Sequence, residues 1–192
     1  MRILSRLIGY LFWIGILAAL LFYLVPQVQR DMPPGVFYKE EDTVPTDLHP
    51  VVEQKKEELM DAVRAKGIDV VITEGHRTME RQDALYAQGR SEGGSIVTSA
   101  KGGESYHNYG LAIDFALRTA EGDVVWDRVR DDNGNGEPDW MEVVEEAKSL
   151  GFEWGGDWPN FKDYPHLQMD FGLTIRDLKN GKRPVVDDFA DD

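Results

Sequence analysis

Three side chains in the second half of the chain could together hold a metal ion. His107 and Asp114 lie in the stretch SYHNYGLAID, and His166 comes from a distant part of the sequence. Two imidazoles and one carboxylate, with a fourth position open, form the ligand set of a hydrolytic zinc site. Asp163, three residues before His166, adds a carboxylate that could move a proton during attack by water. These residue types predict a hydrolytic enzyme before any fold is considered.

The sequence around these residues indicates how they would meet. Gly110 follows His107 and allows the backbone to fold back, so that the side chains of His107 and Asp114 can reach one ion. Asp114 lies in a predicted strand at 111–116, and His166 begins another predicted strand. An isolated histidine is more often a core or surface residue than a ligand, but the pattern as a whole favours metal binding.

Local patterns predict a mixture of helices and antiparallel strands. Apolar residues about one turn apart, between residues that favour helix ends, predict helices at 50–67, 78–89 and 140–150. Short runs rich in β-branched and other apolar residues predict strands at 69–73, 111–116, 124–126 and 166–171. We expect the second and third of these strands to pair. Because the order shows no strand–helix–strand rhythm, the pattern indicates an α+β fold with a small antiparallel sheet and flanking helices.

The amino-terminal segment is predicted to cross a membrane. Residues 7–25 form an uncharged run that is long enough to span a bilayer as a helix. Arg2 and Arg6 precede the run, so the positive-inside rule places residues 1–6 in the cytoplasm and the rest of the chain outside. A cleaved signal peptide is the alternative, which the length of the run and the lack of an A-x-A-like site disfavour.

The rest of the chain divides into a linker, one domain and a tail. Residues 26–48 are rich in proline with little periodicity, which is typical of a linker. Residues 49–180 form the domain with the candidate ligands, and 181–192 form an acidic tail. Residues 31–192 carry 18 basic and 35 acidic side chains, a net charge of −17, which disfavours nucleic acid as a partner. The chain has no cysteine, so disulfides and lipid attachment through cysteine are excluded.

A second cation site is predicted in the loop before the third helix. Residues 131–142 fit the twelve-residue calcium-loop pattern, with Gly136 at the sharp turn and Glu142 as the bidentate last ligand. The expected oxygen ligands are Asp131, Asn133, Asn135, the Glu137 carbonyl, Asp139 and Glu142. The alternative is a polar turn in which Asp139 caps the helix that follows.

The motif S-x-H-x-x-G-x-A-x-D, followed by an acid-x-x-His motif, resembles the zinc D-alanyl-D-alanine carboxypeptidase and L-alanyl-D-glutamate endopeptidase superfamily. The similarity extends from about residue 45 to residue 170 and includes the strings EGHRT, LYAQGR and GFEWGGDW. These strings, and the DYPH form of the second motif, are most similar to the endopeptidase branch, the CwlK-like cell-wall hydrolases and phage endolysins. The resemblance implies the hedgehog/DD-peptidase-like zinc peptidase fold for the domain.

The resemblance also implies roles for individual residues. The implied zinc ligands are His107, Asp114 and His166. Asp163 is implied as the general base, and Arg77 as the cation that stabilises the developing oxyanion, with an ordinary salt bridge as the alternative for Arg77. Gln82 and Ser105 are weaker candidates for hydrogen bonds to substrate or to other site residues. His76 stands where the family has an aromatic residue, and we expect it to pack rather than to be a fourth zinc ligand.

The implied activity is hydrolysis of the L-Ala–D-Glu bond in peptidoglycan stem peptides. The enzyme would be anchored in a bacterial cell membrane by one helix, with its catalytic domain on the cell-wall side. One alternative is a D-Ala-D-Ala carboxypeptidase, and another is a zinc-containing cell-wall binding module without activity, which Asp163 and Arg77 disfavour. The expected cofactors are zinc and, at the acidic loop, calcium.

Overall fold

A computed structural model describes residues 36–40 and 43–186 of the chain. The chain falls into two compact units, Tyr38–Pro184 and a second unit made of Met1–Phe37 with Val185–Asp192. The candidate ligands all lie in Tyr38–Pro184.

The elements alternate irregularly along the chain. The helices are α1 (Pro50–Ala65), α2 (Met79–Ala87), α3 (Asp139–Ser149) and α4 (Ile175–Lys179). The strands are β1 (Val36–Glu40), β2 (Val70–Glu74), β3 (Ala112–Arg118), β4 (Val124–Val125), β5 (Glu153–Trp154), β6 (His166–Gln168) and β7 (Lys182–Val186). Two short 3-10 helices, Tyr106–Tyr109 and Gly155–Asp157, precede β3 and β6 respectively.

One antiparallel sheet carries the candidate site. Its strands lie in the order β2-β3-β6-β5, and β4 also pairs with β3. β1 and β7 pair with each other in a separate two-stranded sheet. The predicted α+β class, the small antiparallel sheet and the pairing of the strands near 111–116 and 124–126 are therefore confirmed.

The two faces of this sheet have different roles. Phe115 and Leu167 are completely buried, and the Phe115 ring lies 4.4 Å from the ring of Trp140 on α3. They belong to one apolar core, to which α1 and α3 also contribute buried side chains. Because side chains alternate along a strand, Asp114 and His166, which neighbour these core residues, point to the opposite face.

The predicted elements agree with the structure apart from their ends. α1, α2 and α3 begin and end within two residues of the predicted positions. β6 is shorter than the predicted strand at 166–171. The chain turns beyond β6, because the Asp170 carboxylate accepts the Gly172 N–H at 2.7 Å and Phe171 has a φ of 52°.

Two strands lie within the predicted linker and the predicted tail. β1 lies within the predicted linker, 26–48, and β7 lies within the predicted tail, 181–192. Arg183 on β7 is buried and donates to the Leu178 carbonyl at 2.7 Å. Pairing between strands so far apart in sequence is a tertiary property, and neither segment shows it in its local pattern.

The predicted membrane segment is not part of the structural description. Among residues 36–40 and 43–186, no helix is long and apolar enough to cross a membrane. The predicted cytoplasmic residues 1–6 and the span at 7–25 lie outside the described residues.

Candidate metal centre

The three predicted zinc ligands meet on one face of the sheet. His107 lies in the first 3-10 helix, Asp114 in the middle of β3 and His166 at the start of β6. Asp114 and His166 are direct partners across the antiparallel pair β3–β6, so their side chains leave the same face close together. The third ligand must be brought to them by the turn that precedes β3.

Gly110 makes that turn, as the sequence predicts. It ends the 3-10 helix with a φ of 68°, a conformation that side chains with a Cβ rarely adopt. A Cβ at Gly110 would also collide with the backbone carbonyl of Asp47. The glycine therefore allows both the reversal of the chain and its close packing beside His107.

The ligand atoms form a nearly equilateral triangle. Nε2 of His107 lies 3.1 Å from Nδ1 of His166 and 3.2 Å from Oδ1 of Asp114, and the last two atoms are 3.3 Å apart. Ligands arranged tetrahedrally around zinc at about 2.0–2.1 Å lie roughly 3.3–3.4 Å from one another. The triangle thus has the dimensions of one face of a zinc tetrahedron, which leaves a fourth ligand position for water or substrate.

The other nitrogen of each imidazole is engaged by the protein. Nδ1 of His107 donates to the Gly75 carbonyl at 2.7 Å, and Nε2 of His166 lies 3.0 Å from Oε1 of Gln168. Oxygen acceptors at these positions hold the ring hydrogens away from the triangle. Two unprotonated nitrogens and a carboxylate oxygen then face one another, and this donor set suits a zinc ion.

Neighbouring groups keep the Asp114 carboxylate ionised. Burial alone would raise the pKa of Asp114, but in the metal-free site protons on the facing nitrogens of His107 and His166 outweigh burial and hold that pKa far below its ordinary value. A zinc ion would take the place of those protons. The second carboxylate oxygen, Oδ2, accepts a hydrogen bond from Nη2 of Arg77 at 3.1 Å. Asp114 is therefore ionised, with one oxygen directed to the triangle and the other held by a cation.

Asp163 lies beside the triangle rather than in it. It lines the same groove as the three ligands, and its backbone N–H donates to the Gly155 carbonyl at 3.1 Å. Burial raises the pKa of Asp163, whereas a bound dication would lower it. Within the described residues no donor hydrogen-bonds its carboxylate. A carboxylate placed in this way is suited to accept a proton from an attacking water.

Arg77 connects the ligands to Gln82 on α2. Besides its contact with Asp114, its backbone N–H donates to the His107 carbonyl at 3.0 Å and its Nη1 donates to Oε1 of Gln82 at 2.9 Å. The salt bridge that was the alternative for Arg77 is thus present, and it is made to a predicted zinc ligand.

Of the two hydrogen-bonding roles expected for Gln82, the structure supports the bond to another site residue. Gln82 is 0% exposed, and its amide also donates to the Ala100 carbonyl at 2.8 Å. Because its amide is buried and bonded within the protein, Gln82 acts on another site residue, Arg77. Ser105 lines the groove, and its contact with substrate stays a prediction.

Two residues near the ligands were missed in the sequence. Asn108 is completely buried, and its side chain donates to the Arg77 carbonyl at 2.8 Å and accepts the Gly103 N–H at 2.9 Å, which joins the loops of Arg77 and His107. The signal was its place directly after His107 in the motif. Gln168 contacts His166. Because side chains two residues apart on a strand point to the same face, its position two residues after His166 was the sequence signal.

Among the described residues, His107, Asp114 and His166 are the group of metal-ligating side chains whose ligand atoms come together, within 4.8 Å. His76 is not in that group, and its Nε2 is buried without a hydrogen-bond partner among the described residues. A fourth ligand at His76 is therefore not supported.

The predicted calcium loop is folded by its own hydrogen bonds. The Asp131 carboxylate accepts the N–H groups of Gly134, Asn135 and Gly136 at 2.8, 3.1 and 2.9 Å. Asn133 donates to the Glu142 carboxylate at 2.8 Å, and Asn135 accepts the Glu137 N–H at 2.8 Å. Asp139 is buried in the first turn of α3 and accepts the Asp132 N–H at 2.9 Å. The acids of this loop do not converge as the zinc triangle does, and calcium binding stays a prediction.

A groove with a volume of about 570 Å³ opens over the triangle. The groove is lined by residues 97–100 and 104–107 and by Trp158, Phe161 and Asp163. The Trp158 ring packs 5.1 Å from the ring of His166. The groove has the volume of a site for a small ligand or a short peptide segment.

Replacing Gly155 with alanine is expected to disturb the site. A Cβ there would collide with the Asp163 carbonyl and lie 3.0 Å from the Cβ of Asp163 and 3.1 Å from that of His166. Overpacking of this kind costs about 1–3 kcal/mol, and here it displaces two functional residues. We expect Gly155→Ala to lower both the free energy of unfolding, measured in urea, and turnover. Gly93→Ala is the matched control, since its Cβ would meet nothing within 4 Å. Unchanged stability and turnover in Gly155→Ala would contradict this expectation.

Comparison with known proteins agrees with this geometry. A family model described as D-alanyl-D-alanine carboxypeptidase matches residues 98–169, which include all three predicted ligands and Asp163. The chain is 64% identical over 126 residues to the peptidoglycan L-alanyl-D-glutamate endopeptidase CwlK of Bacillus subtilis (strain 168), covering 66% of this chain and 75% of that protein. The chain belongs to the CwlK family of metallopeptidases.

Two further relatives carry related names. An L-alanyl-D-glutamate peptidase of Listeria phage A118 is 42% identical over 114 residues, which cover 59% of this chain and 34% of the phage protein. The chain thus spans about a third of that protein's length. The crystal structure of the Serratia marcescens L-Ala D-Glu endopeptidase ChiX has a TM-score of 0.44 at 28% identity, covering 68% of this chain and 84% of that one.

Proposed function

We propose that this CwlK-family enzyme uses zinc to hydrolyse the L-Ala–D-Glu bond of peptidoglycan stem peptides. The observation that carries the proposal is the triangle of His107, Asp114 and His166, whose ligand atoms lie 3.1–3.3 Å apart. The identity with the CwlK endopeptidase supports the choice of bond. The groove over the triangle provides room for the peptide.

His107, Asp114 and His166 would hold the zinc ion. When bound, zinc supplies Lewis acidity that brings the pKa of water to about 7 and polarises a carbonyl. Asp163 takes the proton from the attacking water and returns it to the leaving amine. Among the described residues, no donor hydrogen-bonds the Asp163 carboxylate and so competes with the attacking water for it.

Arg77 has two tasks in this proposal. It holds Asp114 through Nη2 and is itself held through Nη1 by Gln82. Each terminal nitrogen carries a second N–H, and Arg77 lines the groove. A fixed positive charge beside the ligands stabilises negative charge that develops on the substrate carbonyl oxygen.

A second candidate function is removal of a terminal D-Ala, which the description of the matching family favours. N-acetylmuramyl pentapeptide distinguishes the two activities by mass spectrometry. Endopeptidase action yields N-acetylmuramyl-L-Ala and a free tetrapeptide, whereas carboxypeptidase action yields N-acetylmuramyl tetrapeptide and D-Ala. We expect the first pair of products from the zinc-loaded protein. Release of D-Ala alone would assign the carboxypeptidase activity instead.

We also propose that the enzyme works on the cell-wall side of a bacterial membrane, anchored by residues 7–25. The uncharged run and the arginines before it support this orientation. Protease added to intact cells stripped of their wall should digest the domain that begins near residue 49. Protection in intact cells, with digestion only after lysis, would reverse the orientation.

We also propose that residues 131–142 bind a calcium ion. It is supported by Oδ1 of Asp139, which is buried and has no hydrogen-bond partner among the described residues, and by the burial of Glu142. Calcium at 100 times its dissociation constant would stabilise the fold by about 2.7 kcal/mol. We expect calorimetry on the zinc-loaded protein to detect this binding, and Glu142→Gln to remove it. Absence of calcium heat at millimolar concentration in the parent protein would reduce the loop to a polar turn.

A further inference from the structure

A chain of hydrogen bonds leads from His166 to an exposed carboxylate. Nε2 of His166 lies 3.0 Å from Oε1 of Gln168, and Nε2 of Gln168 donates to Oε2 of Glu153 at 3.0 Å. Gln168 is 5% exposed, whereas Glu153 is exposed. Glu153 and Gln168 are direct partners across β5 and β6, and His166 lies two residues before Gln168. The register therefore places all three side chains on one face of the sheet.

Glu153 sets the direction of this chain. An ionised carboxylate only accepts hydrogen bonds, so the NH₂ group of Gln168 must face Glu153 and its oxygen must face His166. The amide oxygen also only accepts, and the hydrogen of the neutral His166 ring must then lie on Nε2. Nδ1 is left unprotonated, and Nδ1 is the atom that lies 3.1 Å from His107 and 3.3 Å from Asp114.

We propose that Gln168 and Glu153 are positioning residues that select the tautomer of His166 and so prepare Nδ1 to bind zinc. The proposal rests on the zinc function proposed above. It extends the site from three ligands to a buried amide and an exposed carboxylate on two further positions of the sheet. Mutation of the hydrogen-bond partner of a metal-ligating histidine typically lowers metal affinity or activity by about 10–100-fold.

Gln168→Leu removes the amide while keeping a side chain of similar size. We expect zinc affinity, measured by competition with a chelator, to fall by about 10–100-fold. Two-bond ¹H–¹⁵N NMR of the metal-free protein at alkaline pH should show His166 as the Nε2–H tautomer in the parent and as a mixture in Gln168→Leu. Gln54→Leu, on the exposed side of α1, is the control and should change neither measurement.

The direction of the chain can be tested by exchanging its groups. Gln168→Glu alone places two carboxylates opposite each other and should weaken zinc binding. Adding Glu153→Gln supplies an amide donor again, and we expect the double variant to recover the zinc affinity. If the role of Gln168 were purely structural, the losses of zinc affinity caused by Gln168→Glu and by Glu153→Gln would instead add in the double variant.

The outcomes separate this inference from the proposed function. A parent protein that binds no zinc would overturn both. If the parent binds zinc and cleaves stem peptide while Gln168→Leu keeps the parental zinc affinity and tautomer, the positioning role alone is overturned. Additive losses in the double variant would also overturn it.

Discussion

His166→Ala is expected to abolish both zinc binding and hydrolysis. The variant removes one corner of a triangle whose edges are 3.1–3.3 Å, and the two remaining ligands, His107 and Asp114, do not complete a zinc site. Metal content by inductively coupled plasma mass spectrometry and cleavage of N-acetylmuramyl pentapeptide should both fall to background. His107→Ala should behave in the same way.

His76→Phe is the matched control for the ligand variants. His76 neighbours Arg77 in sequence but lies outside the ligand group, and the substitution keeps an aromatic ring at the position. It should retain zinc. A His166→Ala protein that is folded, free of zinc and fully active would contradict the assignment of the ligands.

Asp163→Asn is expected to separate zinc binding from chemistry. Asp163 lines the groove but is not one of the three converging ligands, so the metal content should stay at the parental level. The amide cannot accept the proton of the attacking water, and we expect turnover to fall by about 10²–10⁴-fold. Steady-state kinetics and metal analysis on the same preparation measure both effects.

Asp157→Asn provides the comparison for this variant. Asp157 lies in the same segment, is exposed and pairs with Lys148 on the surface, so its neutralisation should leave turnover close to the parental rate. Loss of zinc in Asp163→Asn would make Asp163 a ligand rather than a base. Parental turnover in that variant would remove both roles.

The zinc ligands could be predicted from sequence because their signal is local and chemical. His107, Gly110 and Asp114 lie within one short motif, and the turn that brings them together needs a glycine whose φ is 68°. His166 was identified by its own motif with Asp163. The α1, α2 and α3 helices were predictable for a similar reason, since capping residues and apolar spacing are properties of a single segment.

The contacts that support the ligands were not predictable in this way. Gln82 was predicted only as a weak candidate for a hydrogen bond to substrate or to another site residue, and only the packing of residues 98–100 against it shows that it is buried. Glu153 and Gln168 are opposite each other only because β5 pairs with β6 in one register. The strand β7 likewise depends on a partner, β1, at the other end of the chain.

The role of zinc can be measured by returning the metal to metal-free protein. Zinc is added in steps, and cleavage of N-acetylmuramyl pentapeptide between L-Ala and D-Glu is followed by mass spectrometry. We expect no cleavage before zinc is added, a rate that rises in proportion to bound zinc, and a plateau at one zinc per chain. Cleavage at the full rate in the metal-free protein, or a zinc-loaded protein that does not cut between L-Ala and D-Glu, would contradict the proposed function.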